Sequence, residues 1–261
     1  MKISHNHPFH MVTLSPWPLM TSWSILNMIL SMIYWFNSTN FKLVLLNFSI
    51  LLLILYQWWR DVVRESTMQG CHTLNVLKLL KLGMILFIIS ELFFFISFFW
   101  TYLHCAIAPS IEIGMMWPPK NIIMFNPYDI PLLNSIILIS SGFTITWSHN
   151  LLVNNKKKST TPLMITIMLG IYFSFIQMIE YLEAPFTFND GIFGSIFFMT
   201  TGFHGLHVML GIVFLLTSLI RMYMNHFSKI HHFHFEAATW YWHFVDIIWI
   251  ILYILIYWWM Y

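Results

Sequence analysis

The sequence predicts an all-α, polytopic membrane protein with seven transmembrane helices, and three observations carry that prediction. Of its 261 residues 59% are hydrophobic and only 8% charged, with a mean hydropathy of +0.73. Soluble chains carry roughly 25% charged residues, so a globular core alone cannot absorb this much apolar surface and the bilayer must act as solvent. Apolar windows of about 20 residues recur seven times along the chain. Finally, Lys and Arg gather in alternate connections between those windows.

The first two spans cover about residues 16–36 and 41–59, separated by the turn-forming "NSTN". The polar "RDVVRESTMQGCHT" leads to a third span at about 78–107. After "PPKNIIMFNPYDIP" the fourth covers about 130–153, and "NNKKKSTTP" separates it from the fifth, at about 160–183. Ala184-Pro185 ends the fifth. The sixth and seventh occupy about 191–224 and 234–259. Several exceed the bilayer thickness, which implies tilt or protrusion. With no internal repeat or low-complexity tract, residues 1–261 read as a single membrane domain.

Orientation follows from the basic residues. Placing the N-terminus and the second–third, fourth–fifth and sixth–seventh connections on one side puts Lys2, Arg60, Arg64, Lys78, Lys81, Lys156, Lys157, Lys158, Arg221 and Lys229 there. The other side holds only Lys42 and Lys120. The positive-inside rule then sets the N-terminus in the negative compartment and the C-terminus opposite.

Several function classes fall away. A net charge of +2 with no basic stripe gives no nucleic-acid footprint. Cys71 and Cys105 lie roughly 45–50 Å apart along helical geometry, too far for a disulfide. The N-terminal "MKISHNHPFHMVTLSPWPLM" has neither the succession of a secretory signal nor the Arg-rich character of a transit peptide. No phosphate-cradling Gly loop, nucleophile elbow or CxxC is present.

The candidate chemistry lies inside the spans. Glu91, in "IISELFFFISFFW", is about ten residues or roughly 15 Å into the third span. A charged acid at a helix centre costs about 2.5–3.5 kcal/mol on insertion scales, so Glu91 is expected to face protein, water or a lipid cavity. It either handles protons or pegs helices together by a hydrogen bond.

Glu180 and Glu183 share a helix face, as do His204 and His207 at a spacing compatible with metal ligation. His243 and Asp246 form a third such pair, and His231, His232, His234 and Glu236 cluster at the last connection. A histidine-box oxygenase needs HxxHH-type clusters on one membrane side, which this chain lacks. An autonomous transporter relaying protons through Glu91, Glu180 and Asp246 would be expected to show inverted repeats or broken helices, and neither occurs. Trp58, Trp59, Trp117, Trp258 and Trp259 sit at span ends as an interfacial belt.

Taken together, "HMVTLSPWPL", "YQWWRDVVREST", "GMILFIISELFFF", "WPP", "NPYDIPLLNS", "EAPFTFNDGIFGS", "TGFHGLHV" and "FEAATWYWHFVD" resemble the cytochrome c oxidase subunit 3 family nearly end to end. The resemblance implies that the first two helices splay from the other five, leaving a V-shaped cleft that holds phospholipid. It implies a location in the mitochondrial inner membrane, with the N-terminus in the matrix and the C-terminus in the intermembrane space. It also implies synthesis inside the organelle.

The complex implied oxidises cytochrome c, reduces O₂ to water and pumps protons, with haem and copper held by partner subunits 1 and 2. Nuclear-encoded accessory subunits complete it. This chain would then hold no metal and no catalytic residue of its own, and would support assembly, stability, lipid binding and proton uptake by subunit 1. Glu91 falls on the family's intramembrane glutamate, and Trp59, Arg64, Glu65, His72 and Arg221 fall on segments expected near lipid headgroups. Two departures stand out: Cys71 where the family often has His, and His234 where it has Gly.

Overall fold

The computed structural model describes residues 7–154 and 157–259. Lys2 and Lys156 of the basic count lie outside these. Among the described residues, seven helices are long and apolar enough to cross a membrane: α1 (Trp17–Ser38), α2 (Lys42–Thr67), α3 (Leu74–Ile107), α4 (Ile130–Val153), α5 (Thr160–Glu183), α6 (Ile192–Tyr223) and α7 (Phe233–Leu252). The last continues as a π-helical turn over Tyr253–Trp258. No strand occurs among the described residues. They pack as two units, one ending at Leu80 and one starting at Lys81, so the boundary falls inside α3.

In the first unit, α1 and α2 form a hairpin. Thr39 closes α1 in the left-handed region at φ 57°, its N–H bonded to the Trp35 carbonyl at 2.8 Å. Two polar ties cross the pair: Asn47 Nδ2 donates to the Asn27 carbonyl at 3.1 Å, and Trp17 Nε1 donates to Asp61 Oδ2 at 2.8 Å. The second tie explains why α2 runs on to Thr67 beyond its apolar span. Asp61 is held by Trp17 and by ion pairs to Arg60 and Arg64, which stabilise a polar helical turn above the membrane segment. The Thr73 hydroxyl accepts the Val76 N–H at 3.4 Å, capping α3, and donates to the Pro8 carbonyl.

In the second unit, α7 is the most enclosed helix, packed against α4 and α6. Interiors here need not be more apolar than the surface, because lipid is as apolar as leucine; close approach and hydrogen bonds hold the helices instead. Trp242 and Trp249 are fully buried. Each donates its indole N–H to a serine of α4: Trp242 to Ser141 at 2.9 Å and Trp249 to Ser135 at 3.0 Å. The two hydroxyls donate in turn to Leu138 and Pro131 carbonyls of their own helix, so donor and acceptor are both used.

Glycine makes room for the Trp242 ring from two sides. A Cβ at Gly170 of α5 would lie 2.6 Å from the ring, and one at Gly211 of α6 would lie 2.9 Å away. At the far end of α7 the Tyr257 hydroxyl donates to Glu180 Oε1 at 2.6 Å. Thus α7 is fastened to α4, α5 and α6 by named polar or close contacts.

Candidate functional site

Glu91 sits midway along α3, and residues 91, 94 and 95 share one face at i, i+3 and i+4. His207 comes from the middle of α6. Its Nε2 lies 2.9 Å from Glu91 Oε2, and its Nδ1 lies 2.7 Å from the Phe203 carbonyl one turn earlier. Phe95 packs edge-on against the imidazole at 5.0 Å between ring centroids, with Phe94 and Tyr241 further out. The Glu91 and His207 side chains are 26% and 11% exposed, so the pair is enclosed on most sides by this chain.

These contacts constrain the protons. A carbonyl oxygen only accepts, so the 2.7 Å contact requires a hydrogen on Nδ1. A neutral imidazole then presents a bare Nε2, which needs a protonated Glu91 as donor. If Glu91 is ionised instead, His207 must be the imidazolium. In both forms the pair is neutral overall and one proton lies between the two residues. This arrangement relieves the cost that an isolated acid would carry at mid-bilayer, because opposite or shared charge stays inside the pair.

Two of the other sequence pairs separate, and the third stays within ion-pair distance. His204 and His207 sit about 60° apart around α6 and reach different neighbours. His204 Nε2 donates to the Val245 carbonyl of α7 at 3.2 Å, and its ring packs against Phe173 and Trp249. The two histidines therefore do not converge on one metal-binding point. Glu180 is fully buried and bonded to Tyr257, whereas Glu183 is exposed at the end of α5, so these carboxylates do not act as a pair. His243 Nδ1 and Asp246 Oδ2 stand 3.7 Å apart, an ion-pair distance too long for a hydrogen bond.

Four of the headgroup candidates belong to the first unit. Trp59 is 61% exposed on α2, and the Arg64 side chain is 53% exposed beside Asp61. Glu65 and His72 come together with His10, each offering a donor atom within 4.8 Å of the others. Arg221 belongs to the second unit, at the end of α6. Its guanidinium carbon lies 4.8 Å over the Phe227 ring, and its buried Nε has no hydrogen-bond partner among the described residues. That orphan donor is suited to an oxyanion, and Arg presents a planar fork to one.

His234 is half-buried. Its Nδ1 is 3.0 Å from the Ser218 hydroxyl and its ring meets Phe214 edge-on at 4.9 Å, so it packs between α6 and α7. Cys71 is buried in the first unit, its thiol 3.7 Å from Gln69 Oε1. His207 is the functional residue that sequence reasoning did not connect to Glu91. The two are 116 residues apart, and the available signal was the rule that intramembrane ionisable groups pair with one another.

Comparison with known proteins decides the family. The family model described as Cytochrome c oxidase subunit III matches residues 7–261. The chain belongs to that family. It is 54% identical over 260 residues to cytochrome c oxidase subunit 3 of Drosophila melanogaster, covering 99% of each chain. It is 54% identical over 257 residues to the subunit of Locusta migratoria, covering 98% of each. The subunit of Paracentrotus lividus is 51% identical over 258 residues, 98% of this chain and 99% of that one. Family membership makes the chain a core subunit of the respiratory oxidase, a multi-subunit complex. For a cytochrome c oxidase subunit III, the Glu91–His207 pair is thus a feature of one subunit in a multi-subunit assembly.

Proposed function

We propose that this subunit supports chemistry performed elsewhere in the oxidase, and that the Glu91–His207 pair is its functional centre. The supporting observation is the 2.9 Å contact between Glu91 Oε2 and His207 Nε2, midway along two membrane-length helices. Haem and copper belong to subunits 1 and 2, which oxidise cytochrome c, reduce O₂ and pump protons; no catalytic residue is assigned to this chain. The pair steadies the helix core and favours sustained proton uptake by subunit 1. Nuclear-encoded accessory subunits complete the assembly, in the mitochondrial inner membrane.

The preponderance of Lys and Arg on one side supports an N-terminus in the matrix and a C-terminus in the intermembrane space. A cysteine introduced at Lys229 should react with a membrane-impermeant maleimide only from the matrix side; reaction from the opposite side alone refutes the orientation.

Phospholipid headgroups are met by Trp59, Arg64, Glu65 and His72 in the first unit and by Arg221 in the second. Arg221 carries the strongest case because of its unpartnered, buried Nε. Arg221→Ala should therefore lower the phospholipid retained per oxidase, read by mass spectrometry of the purified complex. Unchanged lipid content removes Arg221 from the headgroup site.

Glu91→Gln keeps a group that can donate to His207 Nε2 but cannot release a proton at neutral pH. The variant oxidase should assemble and reduce its haems normally, with the defect confined to sustained turnover and proton uptake. Loss of haem reduction in a normally assembled complex, or turnover and uptake identical to wild type, contradicts the assigned role.

A further inference from the structure

A second cluster of ionisable side chains lies where α4 ends and α7 begins. It contains His149 from the last turns of α4, His232 immediately before α7, and Glu236 in the first turn of α7. One donor atom from each lies within 4.8 Å of the others. His232 is 6% exposed, and its ring centroid is 5.5 Å from that of His149.

The contacts turn potential ligand atoms toward one another in this cluster. His232 Nδ1 donates to the Ser228 carbonyl at 3.0 Å, which turns Nε2 inward. That nitrogen stands 3.4 Å from Glu236 Oε1, and a cation can take the place of the proton that otherwise lies between the two groups. His149 Nε2 is buried with no hydrogen-bond partner among the described residues. Glu236 Oε2 is engaged separately, by Lys81 of α3 at 2.6 Å, which leaves Oε1 free for another ligand.

We infer that His149, His232 and Glu236 form a binding site for a divalent cation of the zinc class. Two imidazoles and a carboxylate are a common zinc ligand set, with water as the fourth ligand. Metal–ligand bonds of about 2.0–2.1 Å separate neighbouring ligands of a tetrahedron by about 3.3–3.4 Å, which matches the His232–Glu236 spacing of 3.4 Å. The Ser228 carbonyl supplies the outer hydrogen bond that fixes a ligating histidine's tautomer. His232 and Glu236 stand at i, i+4 on one face, and His149 brings in a second helix. A bound ion therefore clamps the end of α4 to the start of α7, with Lys81 tying α3 to the same carboxylate. The ion carries no redox chemistry and this site is separate from Glu91.

Lys81 gives the inference a second handle. Its charge opposes a cation a few ångströms away, so removing it must strengthen binding, whereas it would only weaken a purely structural ion pair. The purified oxidase complex is stripped with a chelator, equilibrated with zinc, and analysed for zinc per haem. The wild type should bind one zinc more per complex than His149→Gln or Glu236→Gln, and Lys81→Met should bind that zinc about tenfold more tightly. Equal zinc content in wild type and a His149→Gln complex that retains this subunit overturns the site. If neither ligand variant retains the subunit, unchanged zinc affinity in Lys81→Met overturns it.

Discussion

The pairing of Glu91 with His207 is the constraint on which the second unit turns. An ionisable acid halfway through a bilayer persists only if its charge is matched or its proton retained. The structure meets that condition with one histidine, itself fixed by the Phe203 carbonyl and an aromatic wall. The consequence is geometric as well as electrostatic. α3 has little buried surface of its own, and the bond at 2.9 Å fixes its middle against α6. A polar contact thus does work that apolar burial cannot do where lipid competes equally for every leucine.

The same logic recurs around α7. Its two buried tryptophans reach serines of α4, its terminal tyrosine reaches Glu180 of α5, and its Val245 carbonyl receives His204 of α6. Glycines 170 and 211 let the helices close onto Trp242. Each of these groups therefore ties one helix to another, which accounts for His204 and Glu180 without a separate reaction for each. Glu91–His207 differs in holding a proton between two groups that can both bind it.

Much of the fold was legible because a transmembrane helix announces itself by length and apolarity. The helices fall close to the apolar windows, and the chief departure, α2 continuing to Thr67, comes from polar residues that no hydropathy window counts. The family was legible from long strings such as "EAPFTFNDGIFGS" and "FEAATWYWHFVD". The candidate site was only half legible. Glu91 stood out by its cost, but spacing rules report neighbours on one helix and say nothing of a partner 116 residues away. Those rules also misdirected attention to His204–His207 and Glu180–Glu183. In each pair the two side chains diverge, because residues three apart differ enough in direction to face different helices in a tight bundle.

Glu91 and His207 act as one unit. A double-mutant cycle tests that directly: the free energy of dissociating this subunit from the purified oxidase, measured for wild type, Glu91→Ala, His207→Ala and the double variant. Each single change strands a buried polar partner and should cost about 1–3 kcal/mol. The double variant should cost little more than either one, giving a coupling of about 1 kcal/mol or more. Single effects that simply add, within about 0.5 kcal/mol, would mean that the two residues do not depend on each other.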